Sequence, residues 1–192
     1  MQAALIEDLL DMNRIETGQL RLELQPVDLA AVIRAAVEAI LPSASAKGIR
    51  LQTMLDAEPP AISGDPARLQ QVMWNLLANA VKFTSRGATV RVGLLHKGDR
   101  LEVSVSDTGQ GVEPTFLPRV FDRFQQQDVS TTRRHGGLGV GLTIVRELVQ
   151  LHGGSVRAES DGPGRGATFS VALPVLAGGV APVVASTTTA TG

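Results

Sequence analysis

The sequence contains no cysteine, which excludes disulfides, thiolate metal ligands and a cysteine nucleophile together. It also lacks an excess of either charge: 18 Lys and Arg face 19 Asp and Glu. No global field therefore draws the chain to nucleic acid or to an anionic membrane surface, and an anionic ligand has to be held locally. The opening Met1-Gln2-Ala3-Ala4 has neither the basic segment nor the long apolar core of a secretory signal, so no targeting sequence is expected. This composition fits a reducing cytoplasm. The stretch from Ala167 to Gly192 carries no charge, but Pro174, Pro182 and a Thr-rich end suit a strand plus a flexible linker rather than a bilayer span. What remains is a 192-residue chain, long enough for one domain with a real core and short extensions at either end.

Periodicity orders that domain. Leu5, Ile6, Leu9, Leu10, Met12 and Ile15 recur at helical spacing among charged residues and predict an amphipathic helix ending near Gly18. Its apolar face invites a partner. Leu20, Leu22 and Leu24 alternate as a short extended arm, and Pro26 with Asp28 as N-cap opens a second helix to about Ala46. Ile49 to Leu55 reads as a strand and Pro59-Pro60 as a break; Asp65-Pro66 supplies cap and first-turn proline of a third helix ending near Phe83. Strands over Thr89 to Leu95 and Arg100 to Ser106 form a hairpin about Lys97-Gly98-Asp99. An irregular stretch follows, then a helix from Val140 to His152 and strands over Ser155 to Glu159 and Ala167 to Leu173. The loop from about Gln125 to Gly137 is long enough to suggest a lid.

Several groups of residues carry chemistry. Asn75, Asn79 and Lys82 share one face of the third helix. An amide oxygen suits magnesium and a lysine suits phosphate, although the same stripe also describes a solvated face. Ser106-Asp107-Thr108-Gly109-Gln110-Gly111 follows an apolar strand. A buried carboxylate there can accept from the exocyclic amine of adenine, with glycines allowing a close approach; the alternative is a tight turn with a cap. His135-Gly136-Gly137-Leu138-Gly139-Val140-Gly141-Leu142 runs into a helix, where free N–H groups and the positive dipole end cradle phosphate. A connection needing unusual dihedrals is the alternative. No Gly-Lys-Ser/Thr follows, so this is not a Walker loop, nor does a strand immediately precede it as in a dinucleotide fingerprint. Phe121-Asp122-Arg123-Phe124 and Gly164-Arg165-Gly166-Ala167-Thr168-Phe169 complete the set, Thr168 offering a hydroxyl near the base.

Taken in order, the Asn helix, Asp-x-Gly-x-Gly, Phe-x-x-Phe, glycine-rich lid and Gly-x-Gly-x-Thr-Phe resemble the catalytic ATP-binding domain of sensor histidine kinases. The resemblance runs from Met1 to about Pro174. It includes Asp65-Pro66-Ala67-Arg68-Leu69-Gln70-Gln71-Val72, Gln127-Asp128-Val129-Ser130-Thr131-Thr132-Arg133-Arg134 and His152-Gly153-Gly154. It implies an α+β fold: a two-layer sandwich of the GHKL type, a mixed sheet with helices on one face, preceded by one amphipathic helix. It divides the chain into residues 1–24, the end of the dimerisation domain with a linker; 25–174, the catalytic domain; and 175–192, a tail.

The resemblance also implies ATP and magnesium as ligands, with Asn79 on the metal and Asn75 and Lys82 at the phosphates. Asp107 would read adenine beside Gly109, Gly111, Phe124 and Thr168. Arg134, Gly137, Leu138, Gly139, Val140, Gly141 and Leu142 would hold the triphosphate. Leu138 departs from the family, which often has threonine there, removing a possible phosphate contact. Implied partners are the dimerisation and phosphoacceptor helices, a homodimeric parent and a response-regulator receiver, with no nucleic acid and no membrane contact by these residues. A phosphoacceptor histidine is not expected among His96, His135 and His152. His152, near a helix C-terminus, is expected to serve the helix dipole. Hydrolytic GHKL ATPases resemble the same fold but carry glutamate where Asn75 stands, and an amide cannot act as a general base.

Overall fold

A computed structural model describes residues 10–15, 17–123, 125 and 139–176. Helix α1 covers residues 10–15. After it come β1 (Gln25–Val27), α2 (Leu29–Ala46), β2 (Arg50–Leu55), β3 (Ile62–Gly64) and α3 (Pro66–Phe83). The chain continues as β4 (Thr89–Lys97), β5 (Arg100–Asp107), a 3-10 turn (Leu117–Arg119), α4 (Gly141–Leu151), β6 (Ser155–Glu159) and β7 (Ala167–Pro174).

The caps read from sequence are in place. Asp28 accepts from the N–H of Ala31 at 3.1 Å at the start of α2, and Asp65 accepts from Ala67 and Arg68 at 3.1 and 3.2 Å at the start of α3. Each relieves N–H groups that a helix terminus otherwise leaves without partners. The five-stranded sheet runs β2-β4-β5-β7-β6. Strands β2 and β4 are parallel and the other neighbours antiparallel. Parallel neighbours need a crossover, and α3 is part of it. The helices cover one face of the sheet: Val90, Val92, Leu94, Leu101, Val103, Val105, Phe169 and Val171 are buried on alternate strand positions, with Leu69, Met73, Leu76 and Leu77 of α3 in the same core. This is the mixed two-layer sandwich expected. By length and composition α2 is apolar enough to cross a membrane, but its Leu29, Ile33, Ala36 and Ile40 lie in that core.

Two short strands correct the sequence reading. Pro26 does not open α2; it lies in β1, opposite Ser63 of β3. Three residues are too few to show a period of two, and on an edge strand a missing N–H costs little. On the other side of β3, Ile62 bridges Val175. The N–H groups of Val175 and Leu176 donate to Asp99 and Ala61, each at 2.9 Å. Val175 and Leu176 are therefore packed with the sheet unit.

The apolar face of helix α1 finds its partner within the chain, because its described part folds back. Asp11 is 5% exposed and its Oδ2 accepts from Arg68 at 2.6 Å and from Gln71 at 2.9 Å. Met12 is buried beside it. Leu10, Ala36, Ala39, Trp74 and Asn75 line an open groove of about 650 Å³ between α1, α2 and α3.

His152 is more than a dipole partner. It is buried, its Nε2 accepts from the N–H of Asp65 at 3.0 Å, and Nδ1 lies 2.7 Å from the carbonyl of Leu148. Nε2 acts as acceptor, so the ring proton belongs on Nδ1 and donates to Leu148. The C-terminus of α4 is thereby tied to the N-terminus of α3. Asp65 Oδ2 also takes the N–H of Glu23 in the arm at 3.1 Å. Asp65→Ala removes the cap and the arm tie together and is expected to cost about 2 kcal/mol. Urea unfolding checks this, and a loss below about 0.5 kcal/mol, the scale of an ordinary surface change, would show that the joint contributes little.

Candidate functional site

Helix α3 presents its apolar side to the sheet and leaves Asn75, Asn79 and Lys82 half-buried. A solvated face does not look like this. The amide nitrogen of Asn75 is buried and has no partner among the described residues. A donor in that state is costly unless something accepts from it. Gly141 packs against the same side chain: a Cβ there would stand 3.5 Å from Asn75 Oδ1. The N-terminus of α4 and the Asn face of α3 therefore meet.

Among the described residues no side chain caps that terminus: Val140 at the N-cap makes no side-chain hydrogen bond, and the first N–H groups of α4 together with the helix dipole favour an anion there. Gly139 has φ +70, a conformation glycine adopts without strain. The side chain of Val140 is buried in the core, and Leu142 packs partly against it, so at Val140 only the backbone faces a ligand. Phe124, Arg134, Gly137 and Leu138 lie outside the described residues, as does most of the expected lid. The described approach to it is anchored: Thr143 Oγ1 donates to the carbonyl of Phe121 at 3.0 Å, Arg146 pairs with Asp122 at 3.1 Å, and Phe121 meets Phe169 edge-on with centroids 6.1 Å apart.

At the other end of α3 stands the turn that follows β5. The N–H of Gly109 donates to Asp107 Oδ1 at 2.8 Å, and that of Gln110 to the carbonyl of Phe83, the last residue of α3, at 3.1 Å. A Cβ on Gly109 would lie 2.3 Å from that carbonyl, and one on Gly111, where φ is +69, 2.1 Å from the carbonyl of Gly162. Both glycines are thus required by protein packing, whatever a flat base also demands. Burial pushes the Asp107 carboxyl above its ordinary value; N–H donors from Gly109 and Ala167 pull it partly back. Lys82, whose Nζ sits 4.8 Å from the Phe83 ring centroid, is held below its ordinary value by burial. The two ends, Asn75 with Gly141 and Phe83 with Asp107, are separated by eight residues of helix, roughly 12 Å. The arrangement is elongated, with N–H donors at one end and a half-buried acceptor at the other.

Thr168 does not join them. It pairs with Ser106 and their hydroxyls lie 2.8 Å apart, on the sheet face turned away from the helices. Strand positions alternate between faces, so the residue opposite Asp107 on the inner face is Ala167. The sequence reading also missed Ser160, whose Oγ accepts from Val112 at 3.0 Å and donates to the carbonyl of Gly166 at 2.7 Å. It missed Lys47 as well, whose Nζ lies 2.7 Å from the carbonyls of both Val81 and Lys82. Lys47 stands 34 and 35 residues from its partners and Ser160 stands 48 from Val112, so no local pattern reveals these contacts.

Residues 64–177 match the family described as histidine kinase-, DNA gyrase B- and HSP90-like ATPase. Hybrid signal transduction histidine kinase D of Dictyostelium discoideum is 38% identical over 92% of this chain, which covers 14% of that protein. The circadian input-output histidine kinase CikA of Synechococcus elongatus is 38% identical over 88% of this chain and 23% of its own length. The chain thus spans less than a quarter of either curated relative. Among solved structures, full-length ShkA in complex with AMPPNP superposes with a TM-score of 0.80 at 33% identity, covering 92% of this chain and 36% of its own. The mycobacterial sensor histidine kinase MprB gives 0.70 at 29% identity, covering 79% of this chain and 97% of its own.

Proposed function

This chain belongs to the family of histidine kinase-, DNA gyrase B- and HSP90-like ATPases, and on that premise we propose that it holds ATP for transfer of the γ-phosphoryl group to a histidine outside this chain. It is an ATP-binding catalytic domain homologous to those of sensor histidine kinases. The observation that carries the transfer reading is Asn75. Its buried amide lies against the N-terminus of α4, where a hydrolytic relative needs a carboxylate to activate water, and an amide has no proton-accepting capacity at neutral pH. With no base at that point, the chain's contribution is placement and charge.

The residues present suit both ligands. The partnerless N–H of Asn75 and the first N–H groups of α4 are donors for phosphate oxygens. Lys82 adds positive charge, Asp107 accepts from the exocyclic amine of adenine, and the amide oxygen of Asn79 is the magnesium ligand. Magnesium, when bound, neutralises charge on the phosphates. Held along α3, a nucleotide would have its base at Asp107 and its phosphates at Asn75 and the N-terminus of α4, and the chain's own task would be to keep it there for an imidazole from outside. We assign residues 1–24 to the end of a dimerisation domain and the segment after Leu176 to a linker. The parent is a homodimer that passes phosphate to a response-regulator receiver, and the catalytic domain works in the cytoplasm.

Of the three histidines, His152 is buried within the fold and His96 is the penultimate residue of β4; neither is a phosphoacceptor. The chain incubated alone with radiolabelled ATP is expected to acquire no acid-labile phosphohistidine. Addition of a separate phosphoacceptor helix pair from a homologous kinase is expected to yield label on that partner. Label on the chain itself would refute the first statement. ATP binding without transfer to any acceptor would favour a nucleotide-binding interaction module.

A further inference from the structure

We propose that Lys47 is a positioning residue of the nucleotide site, acting as a clamp on the C-terminus of α3 from the end of a different helix. The inference rests on the ATP-site reading above and adds a residue that touches no ligand.

The geometry is specific. Lys47 is the C-cap of α2, and its ammonium donates at 2.7 Å to the carbonyl of Val81 and again at 2.7 Å to that of Lys82. These carbonyls belong to the last turn of α3, where the helix leaves acceptors unsatisfied and its dipole is negative. A lysine at the end of the preceding helix thus does what a basic residue in the last turn of the same helix ordinarily does. Lys82 itself is in that last turn, but its own Nζ lies over the Phe83 ring.

The clamp is rigid at its base. The carbonyl of Gly48 accepts from Gly87 at 3.0 Å, and the N–H of Arg50 donates to Ala88 at 3.0 Å, so the end of α2 is sewn to the loop leaving α3. The Arg86 side chain lies over Gly48, 3.3 Å from where a Cβ would be. Burial also holds the Lys47 ammonium below its ordinary value, as a charge does when carbonyls replace part of its water.

What the clamp fixes is the base end of the site. Val81 and Lys82 precede Phe83, whose carbonyl receives Gln110 and packs against Gly109 in the turn that carries Asp107. Lys47 therefore sets the end of α3 that orients both the Lys82 side chain and the Asp107 turn. Two of its three N–H donors are committed to carbonyls of α3, and we place its effect on a nucleotide in these groups, not in direct contact.

Calorimetric titrations of the full chain with ATP–magnesium and with adenosine, at a temperature where circular dichroism shows each protein folded, test this. Lys47→Met is expected to weaken both ligands by about 5- to 10-fold, with faster amide exchange at Gln110. Lys47→Gln, a second neutral variant, is expected to act in the same direction. Lys47→Arg, which keeps the charged donor, is expected to bind both within about threefold of the unchanged chain. A lowered melting temperature with unchanged affinities would make Lys47 merely structural and overturn the proposal. Loss for ATP alone would leave the base end undisturbed and also overturn it, as would failure of Lys47→Arg to recover binding. If the unchanged, folded chain bound neither ligand, the ATP-site reading itself would fall, and this proposal with it.

Discussion

Asp107→Asn is expected to lower ATP affinity by about 10- to 100-fold, roughly 1.4–2.7 kcal/mol, without unfolding the chain. The carboxylate already accepts from the N–H of Gly109 at 2.8 Å, and Ala167 supplies a second backbone donor. Asparagine keeps one acceptor oxygen but turns an NH₂ group toward either a backbone N–H or the exocyclic amine of adenine. A donor then faces a donor in a half-buried place, which costs more than the mere loss of a hydrogen bond.

The pH dependence follows from the direction in which burial moves Asp107, upward from its ordinary 3.8. A native state that raises an acid's pKa binds the proton more tightly than the unfolded chain, so ionised Asp107 is a cost to the fold above its native value. That cost disappears as pH falls from the native value through 3.8. Asp107→Asn is thus expected to be at least as stable as the unchanged chain at neutral pH while binding worse. The carboxylate's advantage in affinity over the asparagine variant should shrink as acid protonates it. Equal affinities for the two proteins in calorimetry at neutral pH would mean that Asp107 does not read the base.

Gly166→Ala is expected to be the most destructive single-methyl change, costing about 3 kcal/mol or more. Two penalties combine there. The residue has φ +73, where a side chain adds about 1–2 kcal/mol. Its Cβ would also stand 2.0 Å from the carbonyl of Asp107 and 3.1 Å from Thr108 Cα; both are backbone atoms, so no rotamer change relieves the overlap and overpacking adds about 1–3 kcal/mol. Gly98 separates the terms, since it has φ +63 but nothing within 4 Å of a Cβ. Gly98→Ala should show only the conformational part. Urea unfolding of the two variants decides it: equal losses would mean that the close approach of the Gly166 backbone to Asp107 does not exist. Because the atom displaced is the carbonyl of Asp107, any Gly166→Ala protein that folds should also bind ATP poorly.

The legible features were those whose cause lies within a few residues. Asp28 and Asp65 announced helix starts because a cap bonds its own next turn; Asn75, Asn79 and Lys82 shared a face because helical geometry is fixed. The apolar alternation before Asp107 placed it at a strand end, where the structure has it. Thr168 was misread for an equally local reason. One residue of register changes the sheet face, and a motif read as a string does not count faces.

By itself the sequence determined the order of the helices and of the five longer strands, the N-caps of α2 and α3, the apolar positions of the core and the family to which the chain belongs. All of these follow from local spacing and from residue types that tolerate few substitutes. Only the tertiary structure decided that Gly109 and Gly166 make room for backbone, that His152 holds Asp65 across 87 residues, and that Lys47 closes the end of α3 from 34 and 35 residues away. Such contacts exist because the sheet brings distant segments within hydrogen-bond reach, and nothing in the spacing of the residues along the chain encodes which ones will meet.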